Sequence, residues 1–229
     1  MNQYKHYSFD LWLTLIRSNP QFKEERAKIF HTRYNPLNKS FAEVVTIFRN
    51  VDLMCNSINE RTGKNIEADE MYLMVISMMN EFNPGFAAVD TEELYKEMEQ
   101  LLFNYLPHIY CRNTAGWLNR LKERDSTLSL LSNTGFIRGA TLRKVLKALE
   151  IDQFMDFQLY SDEVHLSKPN RAFFELMLGK VNTHYNGSIG IDEIVHIGDN
   201  PVADIFGAKQ VGLNSVLINS NQQTITCLK

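Results

Sequence analysis

The segment YSFDLWLTLIRSNP, residues 7–20, contains the first predicted strand of the chain and the residues that follow it. Its first residues form an apolar run, which predicts a short buried strand that ends at Asp10. Trp12 stands two positions after that carboxylate, and Pro20 suits the first position of a helix. A carboxylate directly after a buried strand marks Asp10 as a candidate functional residue.

The composition predicts a soluble, globular protein. The chain has 229 residues, 44% apolar and 22% charged, so it is long enough for one large domain or for a core with a smaller accessory domain. The formal net charge is −3 and Lys and Arg do not cluster, so neither a nucleic-acid nor a membrane partner is expected. Cys55, Cys111 and Cys227 lack metal-ligand spacing, and their low, odd number predicts reduced thiols in the cytoplasm.

Residues 17–107 have a helical pattern. Helices are predicted over residues 20–34, 40–63, 67–82 and 90–106. Ser40 and Glu43 form a capping-box pattern at the start of the second helix. Met71, Met74 and Met78 follow helical spacing, which predicts that they lie in the core of a small helical bundle.

After Pro107, predicted strands alternate with predicted helices. The strands cover residues 127–132, 156–161, 193–199 and 214–219, and the helices cover residues 114–124, 137–150, 170–181 and 201–212. This alternation predicts an α/β fold with a parallel sheet and helices on both faces. Because the first strand, residues 4–9, precedes the bundle, we expect one domain from residues 1–16 and 108–229. Residues 17–107 then form an all-α domain inserted after the first strand.

Polar residues follow the predicted strands. Because ligands bind at the carboxyl ends of strands in open parallel sheets, we expect these residues to converge at one edge. They are Asp10, Ser132, Asn133, Asp199, Asn200 and, in the loop after residues 156–161, Lys168.

Four segments in this order resemble the motifs of the haloacid dehalogenase-like (HAD) superfamily of hydrolases. They are FDLWLTL, LLSNTG, SKP and HIGDNPVAD. The resemblance extends over nearly the whole chain. It implies a Rossmann-like core with a doubly wound parallel sheet, and a helical cap domain of the four-helix-bundle type in the insert.

The resemblance also implies a site for phosphate chemistry. A phosphate ester carries about two negative charges, which carboxylates would repel unless a cation such as Mg²⁺ intervenes. Asp10 is the expected nucleophile, and the implied Mg²⁺ ligands are Asp10, Asp199 and the backbone carbonyl of Trp12. The remaining expected roles are charge neutralisation by Lys168, phosphate binding by Ser132, Asn133 and Lys168, orientation of Lys168 or water-mediated metal contact by Asp204, and support by Asn200.

Trp12 departs from the phosphatases of the superfamily, which normally carry a general acid at that position. Tryptophan has no titratable group and cannot act as a general acid. One hypothesis is therefore a Mg²⁺-dependent phosphatase of small phosphorylated metabolites that lacks this acid. A second is a metal-free 2-haloacid dehalogenase with an ester intermediate on Asp10, and a third is a non-catalytic relative that binds a phosphorylated ligand or a protein. Asp199 favours the first, because dehalogenases characteristically have Ser there.

Two further histidines and one loop have less specific patterns. His196 lies within an apolar predicted strand, which favours a packed histidine, and His165 is more typical of a solvated loop. The loop that carries Tyr34, Asn35, Asn38 and Lys39 joins the first two predicted helices. Such a loop either reaches over the site to select substrates or is simply solvated.

Overall fold

The computed structural model describes residues 4–83 and 89–227. Outside the described residues lie 1–3 and 228–229, at the ends of the predicted core ranges, and 84–88, between two predicted helices. The strands are β1 (His6–Phe9), β2 (Ile16–Arg17), β3 (His108–Ile109), β4 (Thr127–Ser132), β5 (Phe157–Tyr160), β6 (Ile194–Gly198) and β7 (Asn214–Leu217). Five of them form a parallel sheet in the order β5-β4-β1-β6-β7. The predicted α/β class is therefore confirmed.

The helices follow the predicted order, with one additional short helix that the sequence analysis did not predict. They are α1 (Pro20–Arg33), α2 (Phe41–Thr62), α3 (Ala68–Met79), α4 (Thr91–Asn104), α5 (Thr114–Lys122), α6 (Gly139–Ala148), α7 (Ser161–Val164), α8 (Arg171–His184) and α9 (Gly207–Gln210). In the described ranges, no helix combines the length and apolar character needed to cross a membrane.

Strand β1 lies at the centre of the sheet and separates two apolar clusters. Tyr7 and Phe9 point into a cluster that also contains side chains from α5 and α6. On the opposite face, Phe173 and Phe174 of α8 belong to the second cluster. Both faces of the sheet are thus covered by helices, which explains why its inner strands are fully buried.

Helices α1–α4, which we call the helical insert, lie between β2 and β3 in the chain. Phe30, Met71 and Val75 are among the buried residues of its own apolar cluster. Met74 and Met78 are partly buried against the same cluster, so the predicted core role of the three methionines is confirmed. Cys55 lies there too as a free thiol.

Strands β2 and β3 form an antiparallel pair that the sequence analysis did not predict. Ile16 pairs with Ile109 and Arg17 with His108. The pair lies where the chain enters and leaves the helical insert. It consists of two residues on each side, too short to give a periodic pattern in the sequence.

Two predicted segments have a different conformation in the structure. The segment after β5 begins with helix α7 rather than a loop. The predicted helix over residues 201–212 is instead one π-helical turn, Pro201–Phe206, followed by α9. The Asn200 carbonyl accepts hydrogen bonds from the amides of both Asp204 and Ile205, at 3.0 and 3.3 Å. This bond from the fifth residue widens the turn, which periodicity alone does not reveal.

Candidate active site

Asp10 lies just beyond the end of β1, where its backbone amide bonds the Ile197 carbonyl of β6 at 2.8 Å. The residue is 7% exposed. Its Oδ1 accepts a hydrogen bond from Lys168 Nζ at 2.7 Å. Burial raises the pKa of Asp10, and the Lys168 ammonium works against that rise. The arrangement fixes one carboxylate oxygen against a cation.

Lys168 is a buried ammonium shared by two carboxylates. Its Nζ also donates to Asp204 Oδ1 at 2.6 Å. Burial alone would lower the pKa of Lys168, but Asp10 and Asp204 together raise it. Lys168 therefore remains a cation. The peptide bond between Lys168 and Pro169 is cis.

Asp204 is held by contacts on several sides. His196 Nε2 lies 3.0 Å from Asp204 Oδ1, and the Asn200 amide donates to Oδ2 at 3.0 Å. Burial would raise the pKa of Asp204, but Lys168 and His196 bring it below its usual range. A Cβ at Gly198 would overlap the Asp204 carboxyl group, so only glycine leaves room for it. Because Lys168 is one of its partners, the geometry suits an orienting role.

Asp199 completes a cluster of three acids. One carboxylate oxygen each from Asp10, Asp199 and Asp204 lies within 4.8 Å of the others. Burial, followed by the charges of Asp10 and Asp204, raises the pKa of Asp199 to about 7. Lys168 is the one cation paired with this cluster among the residues described. Hard carboxylate oxygens with excess negative charge are a donor set that fits a divalent cation such as Mg²⁺.

Ser132 ends β4 and Asn133 follows it, as predicted, but their side chains bond protein groups. The Ser132 hydroxyl donates to the Asn133 carbonyl at 3.1 Å. The Asn133 amide group donates to the Lys168 carbonyl at 3.0 Å and accepts from the Lys168 amide at 2.7 Å. Asn133 thus positions the Lys168 backbone. The predicted contacts of both residues with phosphate stay predictions.

A cavity of about 770 Å³ opens above these acids and extends under the helical insert. Asp10, Trp12, Lys168 and Asp199 border it on the sheet side. Trp12 is partly buried and forms an isolated bridge with Ile16. Trp12 thus borders the same cavity as Asp10.

The helical insert contacts the sheet region around this cavity. Glu60 Oε1, from α2, accepts a hydrogen bond from the Asn200 side chain at 2.8 Å. Asn65, beyond α2, accepts from the Ser161 hydroxyl at 2.7 Å. In the part of the chain that the structure describes, the loop with Tyr34 and Lys39 does not line the cavity.

The sequence profile of the haloacid dehalogenase-like hydrolases matches residues 9–218, which is most of the chain. This chain belongs to that family.

Individual relatives of this family member are more distant. The Rhythmically expressed gene 2 protein of Drosophila melanogaster is 27% identical over 60% of this chain and 53% of its own length. A glyceraldehyde 3-phosphate phosphatase of Methanothermobacter thermautotrophicus is 32% identical over 47% of this chain and 44% of its own. The chain therefore spans about half the length of these curated relatives.

Solved structures of the family show the same fold. The HAD-hydrolase YfnB of Bacillus subtilis, determined with magnesium bound, has a TM-score of 0.73 at 16% identity and covers 99% of this chain and 97% of its own. The L-2-haloacid dehalogenase of Xanthobacter autotrophicus has a TM-score of 0.61 at 15% identity, over 94% and 78%. At these identities the likeness establishes the fold alone.

Sequence reasoning missed some residues of this hydrolase-family site. His196 is fully buried, as a packed histidine should be, but it also bonds Asp204. Its position two residues before Gly198, on the strand that leads to Asp199, could have indicated that this histidine lies next to the site. His165 is exposed and lies 3.3 Å from Glu67, outside the site. Glu60 and Arg26 reach the cavity from the helical insert, and no motif marks them.

Proposed function

We propose that this chain is a Mg²⁺-dependent phosphatase of small phosphorylated molecules, with Asp10 as the nucleophile. The observation that carries the proposal is the group of three carboxylates, Asp10, Asp199 and Asp204, within 4.8 Å of one another. A single ammonium leaves this buried group with excess negative charge, which a divalent cation would balance. The phosphatase name of the Methanothermobacter relative supports a phosphate ester as substrate.

Asp10 and Asp199, with the backbone carbonyl of Trp12, would hold the metal. When bound, Mg²⁺ supplies positive charge to the phosphoryl oxygens and favours the ionised form of both carboxylates. In this proposal residues 17–107 are a cap domain over the core of residues 1–16 and 108–229. The cavity between them is large enough for a small metabolite.

The reaction would take two steps on Asp10. Its free carboxylate oxygen attacks phosphorus, while the bond from phosphorus to the leaving oxygen breaks. Water then hydrolyses the aspartyl-phosphate and returns the carboxylate. Lys168 holds the other oxygen of Asp10 and lowers the repulsion between the nucleophile and the phosphate. Asp204 keeps Lys168 in place.

Trp12 limits the substrates that fit this mechanism. Trp12 borders the cavity with Asp10, and an indole cannot protonate a leaving oxygen. Acyl and aryl phosphates need little or no such proton, because their leaving groups are stable anions. We therefore propose that the enzyme prefers them to alkyl phosphates, unless the helical insert provides an acid.

Trp12 also favours a second candidate, a 2-haloacid dehalogenase, since a halide leaves without a proton. In that reaction Asp10 would attack carbon, and no metal would be needed. The cluster with Asp199 argues against it, because the third carboxylate would then have no counter-charge.

A hydrolysis panel tests both. Aryl, acyl and alkyl phosphates and 2-chloropropionate are compared with Mg²⁺ and with EDTA, in the wild type and in Asp10→Asn. We expect phosphate release that requires Mg²⁺ and falls by at least about 10³-fold in the variant. Chloride release that is unaffected by EDTA would overturn the phosphatase proposal, and phosphate binding without turnover would favour a non-catalytic role.

A further inference from the structure

The cavity has a second group of cations, on the side of the helical insert. Lys23 and Arg26 of α1 and Arg49 of α2 line the same cavity as Asp10. Arg49 is paired with Asp52 at 3.2 Å. Lys23 and Arg26 are one helical turn apart, so they share a face of α1.

Arg26 is an unusual member of this group because it is only 7% exposed. Its guanidinium carbon lies 4.2 Å from the ring centroid of Phe48 and 4.5 Å from that of Phe136. Its Nε is buried and has no hydrogen-bond partner. Across residues 4–83 and 89–227, no carboxylate forms an ion pair with it.

A buried cation without an anion is costly. Cation–π contacts recover less free energy than an uncompensated buried charge costs. The aromatic rings around Arg26 therefore offset only part of the cost. Lys23, which lines the same cavity, is affected by the charge of Arg26. Partial desolvation and the proximity of Arg26 lower the pKa of Lys23. Asp52 and Glu60 also line this side of the cavity, but they pair with Arg49 and Asn200 rather than with Arg26.

We propose that Arg26, assisted by Lys23, binds a second anionic group of the substrate, a carboxylate or a phosphate. The group that reacts lies at Asp10 and Lys168, so the inference rests on the proposed function. A planar guanidinium binds either oxyanion through paired N–H groups. Phe136 follows β4, whereas Phe48 belongs to α2. The anion site is therefore built by the sheet region and the helical insert together.

The test uses three aryl phosphates of nearly equal leaving group. They are para-tolyl phosphate, which has a neutral tail, para-carboxymethylphenyl phosphate and para-phosphonomethylphenyl phosphate. In the wild type we expect a lower KM for the two anionic tails than for the neutral one. The better of the two identifies the anion as carboxylate or phosphate.

Three variants separate recognition from packing. In Arg26→Met, kcat/KM for the anionic tails should fall by about 10- to 100-fold, the effect of losing a charged hydrogen bond. The value for para-tolyl phosphate should change by less than about threefold. Arg26→Lys should be intermediate, because it keeps the charge and loses the paired donors. Arg33→Met, on the same helix but paired with Glu97, is the control.

Two results would overturn the inference: a wild type that does not distinguish the tails, or an equal loss for all three substrates in Arg26→Met, which indicates packing alone. Calorimetry with Asp10→Asn measures binding without turnover. Suppose that the wild type hydrolyses none of the three substrates, yet Asp10→Asn binds the two with anionic tails more tightly than para-tolyl phosphate through Arg26. In that case the anion site stands and the proposed phosphatase activity fails.

Discussion

Trp12 and Asp10 border one cavity, and only one of them has a titratable group. A phosphatase that protonates its leaving group needs a second acid within reach of the ester oxygen. Trp12 stands two residues after the proposed nucleophile, and an indole cannot serve as that acid. If Asp10 attacks phosphorus as we propose, the reaction should therefore be limited by departure of the leaving group.

Trp12→Asp tests this limit. We expect the substitution to raise kcat for alkyl phosphates by about tenfold, a fraction of the 10²–10⁴-fold that general acid catalysis contributes. Aryl phosphates should gain much less, because their leaving groups need less help. Trp12→Asn is the matched control, since it has the same size and no acidic proton. Equal gains for both variants, or for both substrate classes, would contradict the prediction.

The residues at strand ends could be predicted from the sequence, and those from the helical insert could not. Asp10, Lys168 and Asp199 converge because parallel strands end at one edge. Arg26 and Glu60 reach the cavity only through the packing of α1 and α2 against the sheet region. That packing depends on contacts between distant segments, for which the local pattern carries no signal.

At the scale of elements, the C-terminal end of α2 is a contact point between the helical insert and the sheet region. Gly63 follows this helix with φ of 66°. Its carbonyl accepts hydrogen bonds from the Ser167 amide and from Asn170 Nδ2, both at 3.1 Å. A Cβ on Gly63 would lie 2.6 Å from Asn170 Nδ2, so the approach requires glycine.

Asn170→Asp should loosen this contact while it preserves helix α8. The new carboxylate still accepts a bond from the Ala172 amide, as Asn170 does at 2.9 Å. It loses the donor to Gly63 and repels its carbonyl. We expect the free energy of unfolding to fall by about 1–2 kcal/mol, with faster hydrogen exchange in the last turn of α2.

Arg171→Gln is the control for this variant, because it removes only an exposed pair with Glu175. Its effect should stay within about 0.5 kcal/mol. Unchanged exchange in α2 of Asn170→Asp would show that this contact does not hold the helical insert in place.

The long elements could be predicted, whereas the short ones depend on their partners. Helix α2 has both a capping box at Ser40 and a glycine after its last residue. Strand β2 has two residues and exists through its pairing with β3. The π turn that begins at Pro201 brings Asp204 into contact with Lys168. The geometry of this turn therefore depends on contacts within the site, which helical periodicity does not reveal.

At the scale of the whole molecule, the sheet contains a buried polar layer on the face toward α8. His6 bonds the hydroxyls of Thr127 and Ser129 at 2.7 and 2.9 Å. Ser8 contacts His196 at 3.0 Å. These buried groups bond one another, so protonation of either histidine would place a charge in the layer and should destabilise it.

This layer makes folding stability depend on pH. Burial lowers the pKa of His6 from 6.5 to about 3, so below pH 6.5 the unfolded chain binds a proton that the folded chain does not. Stability from this group is complete above pH 6.5 and falls by about 1.4 kcal/mol per pH unit as the pH drops toward 3.

The burial of His196, which lowers its pKa, acts in the same direction. The pKa of Asp199, raised to about 7, acts in the opposite one. The contribution of His6 is therefore isolated only by comparing the loss of stability in a His6 variant with that in the wild type. Urea unfolding at pH 7 and pH 4.5 should show that His6→Gln loses about 2 kcal/mol less than the wild type over this interval. His165→Gln, whose native side chain is 76% exposed, should lose as much as the wild type. If His6→Gln and the wild type lose equal stability, His6 is protonated in the folded protein, and the buried layer tolerates a charge that its hydrogen bonds do not compensate.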